Sequence, residues 1–148
     1  MTKRIQMSAA LLLPLLVVGC AKAPPPDFYL LAPGTPTQLP GFEAGVAVGV
    51  GPIELPLHLD RNQIVSRETS TKLRLSEQNQ WAEPLKAGFT RVLLVTLGLE
   101  LDSNRIYELP TRKRRSLDYQ VAVDVFRFDG EIGGEVILGA RWSLLTSD

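Results

Sequence analysis

Apolar and polar positions along the chain follow a period of two in several blocks and a helical period in one. In "GVAVGVGPIEL" the valines Val46, Val48 and Val50 alternate with Ala47, Gly49 and Gly51. That spacing predicts a strand with one bulky and one nearly bare face. A bare face lets a helix or another backbone approach closely. Pro52 and Pro56 are then expected to turn the chain out of the sheet. Phe28 to Leu31 reads as a short strand followed by the breaker-rich loop "APGTPTQLPG". "NQIVSRE" and "TKLRLSE" predict two strands joined around Thr69 to Thr71. "DYQVAVDVFRFD" and "EVILGARWSLL" alternate over longer runs on either side of Gly130 to Gly134, the signature of a hairpin. Tyr119, Val121, Val123 and Val125 share one face of it, and Val136, Leu138, Ala140, Trp142 and Leu144 share that of the partner strand.

The helical block begins near Pro84, a residue suited to a first helical turn, and runs to about Leu97 or Gly98. At 100° per residue from Leu85, the positions Gly88, Phe89, Val92, Leu93, Thr96 and Leu97 fall in one apolar arc. Lys86, Thr90 and Arg91 lie opposite, with Leu94 among them. Asp102 to Asn104 makes a turn and "RIYEL" a strand. Strands, a helix and strands again give an α/β chain, a mixed sheet with helix packed on it.

The first residues have a different character. Lys3 and Arg4 precede an uncharged run from Ile5 to Ala21 that Pro14 interrupts. As a helix such a run reaches only about 25 Å, short of the ~30 Å bilayer core, so it fits an export signal better than a permanent span. Val17-Val18-Gly19-Cys20 resembles a bacterial lipobox. Its cysteine thiol is the nucleophile that accepts a diacylglyceryl group, and cleavage before it frees an amine for N-acylation. Residues 1–19 are therefore expected to be a lipoprotein signal peptide. Residues 20–27, with Pro24 to Pro26, form a lipidated, proline-stiffened leash, and residues 28–148 one domain. Two or more acyl chains anchor firmly where one binds only marginally. The other reading of Cys20 is a buried apolar thiol.

Cleavage before Cys20 leaves 129 of the 148 residues, enough for one domain with a core. It removes Lys3 and Arg4, leaving 14 basic against 16 acidic residues and a net charge of −2. That charge gives no global pull toward nucleic acid. Cys20 is the only cysteine, so no internal disulfide can form.

Few residues offer chemistry. Gly49-Val50-Gly51 lacks the third glycine, the lysine and the following helix of a nucleotide loop. His58 is the only histidine, and no serine stands in a G-x-S-x-G elbow to use it with Asp60 as a triad. One histidine and a lipidated cysteine do not make a metal site. No catalytic, cofactor or metal residue is therefore expected beyond the covalent lipid on Cys20. Arg112-Lys113-Arg114-Arg115 is either a solvated loop or a contact for anionic headgroups or an acidic partner.

Taken together, "FYLL", "VGVGPIELPLHLDRNQIVSR", "WAEPLKAGFTRVLLVTL", "DYQVAVDVFRFDG" and "ARWSLL" resemble the ABC-type transport auxiliary lipoproteins of the PqiC/YmbA kind, across nearly all of the mature chain. Asn62 stands where such proteins often carry a proline, and His58 where an aromatic is common. The resemblance implies a three-layer-like α/β domain at the periplasmic face of the outer membrane of a Gram-negative bacterium. It implies work beside an inner-membrane transporter component and an MCE-type protein that spans the periplasm, in lipid traffic or membrane integrity, and leaves a homo-oligomer open. Domains of this kind continue with a further strand and a terminal helix. The chain is thus expected to be a short member or C-terminally truncated at Asp148, with apolar sheet exposed.

The leading expectation is a lipid-anchored docking subunit without enzymatic activity. Leu57, His58, Leu59, Asp60 and Arg61, in a proline-bounded loop, and the off-face Leu94 are its candidate partner contacts. For Leu94 the alternative is packing under a second layer. A periplasmic lipid-binding carrier, with the bare face of residues 46–51 lining a groove, remains open, as does a hydrolase using His58. The anchor is testable directly. Cys20→Ala is expected to remove the lipid mass from the intact protein and to release it from the membrane fraction, read by mass spectrometry and fractionation.

Overall fold

The structure, a computed structural model, describes residues 24–37, 45–111 and 115–146. The signal segment, Cys20 and Arg112 to Arg114 lie outside the described residues. The described residues fold as seven strands and one α-helix: β1 (Asp27–Tyr29), β2 (Val48–Glu54), β3 (Gln63–Arg67), β4 (Leu73–Trp81), α1 (Leu85–Glu100), β5 (Ile106–Glu108), β6 (Tyr119–Gly130) and β7 (Val136–Thr146). A single 3-10 turn at Leu57–Leu59 links β2 to β3. The mixed α/β class holds, with the strands divided between two sheets. One has the order β1-β4-β3 and the other β5-β2-β6-β7. Both are mixed: β1 and β4 run parallel, as do β2 and β5 and β2 and β6, while β3–β4 and β6–β7 are antiparallel.

β2 is the central strand of the larger sheet, and it corrects two expectations. The chain does not leave the sheet at Pro52 but stays in β2 as far as Glu54. The pairing with β6 shifts register between Val50 and Ile53, so Val50 faces Val121 and Ile53 faces Val123. Such a bulge takes Pro52, which has no N–H to donate, out of the ladder. The extra residue also returns Ile53 to the face of Val48 and Val50. Nor does the glycine face line a groove, because another segment approaches it as closely as its lack of side chains allows. The Leu109 and Leu117 side chains lie 2.7 Å from where a Cβ on Gly49 would stand, and the Leu109 carbonyl oxygen lies 2.8 Å from one on Gly51. β2 is therefore buried on both sides from Val48 to Gly51, as a parallel strand is expected to be.

Two clusters of buried side chains form the core. Val48, Val50 and Ile53 meet Leu93, Leu94, Leu97 and Leu101 from the helix side, together with Ile106, Val121 and Val123. Leu59, Val65 and Leu85 gather Leu31, Leu73, Trp81, Phe89 and Phe128. Phe128 joins this second group because of another bulge, between Val125 and Arg127 in the β6–β7 ladder. Its ring stands edge-on to Phe89 at 5.0 Å and is stacked with Trp81 at 6.1 Å. α1 enters from Pro84, which caps it without a side-chain hydrogen bond. It ends where Asp102 takes φ 44° and the Ser103 N–H donates to the Gly98 carbonyl. Thr90, placed among polar positions by the helical wheel, is buried with its hydroxyl donating to the Lys86 carbonyl. Two clusters on two sheets widen the arc the helix must bury.

Gly51 tests this reading of β2. Its φ of 136° is strained for any other residue, and a Cβ there meets the Leu109 carbonyl. Gly51→Ala is expected to cost about 2–4 kcal/mol from strain and overpacking, measured as a fall in denaturant midpoint at unchanged slope.

Candidate functional site

The proline-bounded loop divides its residues between surface and core. Leu57 is 86% exposed at the apex of the 3-10 turn, while Leu59, two residues on, is buried in the second cluster. Asp60 is exposed, and its N–H closes the turn on the Leu57 carbonyl. His58 and Arg61 are half-buried, and their Nε2 and Nε atoms are shielded without a partner among the described residues. Leu57 and Asp60 are thus presented to solvent, and Leu59 holds the loop down. Leu94 packs against the Val48-Val50-Ile53 cluster. It also borders an open depression with Val95, Gly98 and Ile106. Of the basic cluster, Arg115 lies among the described residues, its guanidinium 4.1 Å above the Tyr107 ring, a cation–π arrangement.

Two features escaped the sequence pattern, and a third, exposed apolar sheet, was expected from it. The first is a charge cluster joining the sheets. Arg67 of β3 donates from Nε and Nη2 to the two carboxylate oxygens of Asp129 of β6, at 2.7 and 2.6 Å. Arg127 donates a third bond from Nε at 3.1 Å. The Asp129 side chain is fully shielded and Arg67 is about a quarter exposed. The hydrogen bonds from Arg67 hold the Asp129 carboxyl below the usual carboxylate range against the opposing effect of burial, with help from Arg127. The same bonds raise the Arg67 guanidinium.

The second is a cavity of about 290 Å³ beside this cluster, between the sheets. Leu59, Val65, Leu85, Trp81 and Phe128 form its apolar wall, and Ser66, Glu131 and Val136 stand around it. The third is the apolar surface of β7. α1 packs on β2 and β5. The cross-strand pairs Val121–Leu144 and Val123–Trp142 carry the same sheet face on past the helix. Trp142 is 70% and Leu144 53% exposed there, and Ile137 and Leu145 expose the opposite face. The consecutive Val136-Ile137-Leu138 was the one sequence sign of a strand apolar on both faces.

Among the described residues no group of histidine, cysteine, aspartate and glutamate is arranged to hold a metal ion. No helix among them is long and apolar enough to cross a membrane.

A family model described as the ABC-type transport auxiliary lipoprotein component matches residues 29–148. The chain belongs to this family. Comparison of this auxiliary lipoprotein with curated proteins gave no match. Its fold is similar to the crystal structure of protein XCC0632 from Xanthomonas campestris, assigned to the family model DUF330. The TM-score is 0.62 at 21% identity, over 82% of this chain and 69% of that one. A second similar crystal structure, of an uncharacterized protein, gives a TM-score of 0.57 at 17% identity, over 83% and 81% of the two chains. At these identities the likeness is one of fold. It supports the α/β architecture of the auxiliary lipoprotein, and the family description places it with an ABC-type transporter as an accessory component.

The ion cluster sets a pH dependence. A carboxyl held low in the folded state stabilises above its unfolded pKa, near 3.9, and that contribution fades as pH falls below it and through the folded value. The melting temperature is expected to drop on acidification below about pH 4, with a smaller acid slope in Asp129→Asn. At neutral pH, Asp129→Ala is expected to cost about 2–3 kcal/mol. That is less than the ~3–5 kcal/mol of a fully buried pair, because Arg67 keeps some contact with water.

Proposed function

We propose that this protein is a lipid-anchored, non-enzymatic docking subunit of an envelope-spanning intermembrane lipid transport system. Lipidated at Cys20, it sits on the periplasmic face of the outer membrane. There it receives the far end of an MCE-type protein that spans the periplasm from an inner-membrane transporter component, and so supports membrane integrity. The family match over residues 29–148 carries this reading. The distribution of the surface is consistent with it, because the features that distinguish the domain are surfaces for contact. Leu57 projects from a turn that Leu59 fixes from beneath, so an apolar tip is held rigidly, the property that lowers the entropy lost on docking. The leash sets how far that tip can stand from the bilayer. Residues 20–27 span at most about 29 Å when extended, a reach that keeps the domain at one membrane.

Gentle detergent purification of the full-length protein from its own envelope, with mass spectrometry of what co-elutes, tests the proposal. Recovery of an MCE-type protein is the expected result, and its absence from the wild-type preparation would overturn the reading. Leu57→Asp is expected to reduce that recovery about tenfold, the loss of ~1.4 kcal/mol of binding. Its melting temperature should be unchanged, since the side chain stands in solvent.

A further inference from the structure

We propose that the cavity between the two sheets binds the hydrocarbon end of an acyl chain, with the anionic head of that lipid held by Arg67 and Arg127, the two arginines that hydrogen-bond the cavity-lining Asp129. Protein interiors leave few voids larger than a water molecule, yet here about 290 Å³ adjoins the buried side chains Leu59, Val65 and Leu85. That volume is at the lower end of small-molecule pockets, which begin near ~300 Å³. It suits a stretch of chain rather than a whole lipid. The stacked Trp81 and Phe128 rings present flat apolar walls that accept a flexible hydrocarbon without demanding a hydrogen bond. The polar end of the site is defined by charge. Asp129 borders the cavity, but its carboxylate is committed to three N–H donors from two arginines, so this cluster of three residues carries one positive charge in excess, opposed by the exposed Glu131 on the same lining. The two Nη groups of Arg127 have no partner among the described residues, and its side chain is about a third exposed. Nearby Arg74 and Lys72 pair with Glu68, and the further rim carboxylate, Glu131, is exposed and screened by water. A carboxylate or phosphate head placed at Arg127 would meet a donor edge not otherwise used.

The choice of an acyl lipid over another apolar ligand rests on the transport reading, but the cavity is testable without any transport partner. A docking subunit with this site also handles lipid itself, the carrier role that the residues left open, though at a different place. The Gly49–Gly51 face is filled by Leu109 and Leu117 and offers no such groove.

The chain has two tryptophans, so Trp142→Phe leaves Trp81, on the cavity wall, as the sole reporter. The full-length lipidated protein in nanodiscs is titrated with dibromostearate or, separately, with dibrominated phosphatidylglycerol, whose bromines quench tryptophan on contact. Saturable quenching of Trp81 to about half its emission or less is expected. Ser66→Phe, which fills the cavity, and Val136→Phe, which narrows its exposed mouth, should each reduce it at least fivefold while retaining a cooperative melting transition. Arg127→Gln should weaken the acid about fivefold and leave dibromostearate methyl ester unaffected. Quenching by either probe supports the site, and the probe that acts identifies the head as carboxylate or phosphate. The absence of saturable quenching would overturn the proposal, as would quenching that both cavity variants leave unchanged; a second protein surface covering the cavity gives the former result. Because no partner is present, failure here leaves the docking reading intact, and saturable quenching of Trp81 would establish the site even where co-purification fails.

Discussion

Asp129 ends the apolar run of β6 with a carboxylate that the two sheets must share. Its two oxygens accept from Arg67 of β3 across the gap between sheets and from Arg127 two residues back on its own strand. A charge buried in this way is tolerated only while its donors stay in place, so the edge of the three-stranded sheet is pinned to one register against the four-stranded one. The consequences spread from that point. Fixing β3 beside β6 sets Trp81 of the neighbouring β4 against Phe128, and Phe128 in turn meets Phe89 of the helix. The same constraint holds the sheets apart where the cavity opens, because Asp129 and its neighbour Gly130 line it. One ion pair thus positions the aromatic seam of the core and the mouth of the proposed lipid site.

Much of this order was legible in the residues, and the parts that were not have a common cause. Strict alternation marked β6 and β7, and the cross-strand pairs Val121–Leu144 and Val123–Trp142 follow from it. The helix from Leu85 and the strands on either side of Thr69 to Thr71 were set by equally local signals. Period-two reasoning fails at bulges, and there are two that matter. At Gly51-Pro52 the expected exit became a continuation of β2, and near Phe126 the parity of β6 reversed to bring Phe128 inward. Leu94 and Thr90 were misplaced on the wheel for a related reason: a helix wedged between two clusters buries more than one arc. The Arg67–Asp129 pair joins residues 62 apart in sequence, a distance at which no pattern speaks.

Within the candidate contact loop the sequence did not distinguish which members are exposed. "LPLHLDR" reads as a uniform apolar-polar run, yet the 3-10 turn sends Leu57 outward and Leu59 into the core. Two leucines of identical chemistry, two residues apart, therefore end in opposite environments, one shown to solvent and one holding the loop from beneath. In an accessory component of an ABC-type transporter, that division decides which apolar groups the fold keeps for itself and which it shows.

The order in which strands find partners also constrains how the molecule comes into being. β2 pairs on both sides with strands that follow it in the chain, β5 and β6, and both pairings are parallel. A chain delivered from its N-terminus thus presents Ala47 to Gly51, a fully buried run, long before Tyr119 to Gly130 is available to pair with it. Closing so large a loop is slow, and the waiting strand has apolar character that invites wrong partners. The hairpin of β6 and β7, being local, can form first and serve as the template onto which β2 is added. The central strand of the finished sheet is, on this topology, one of the last to be secured.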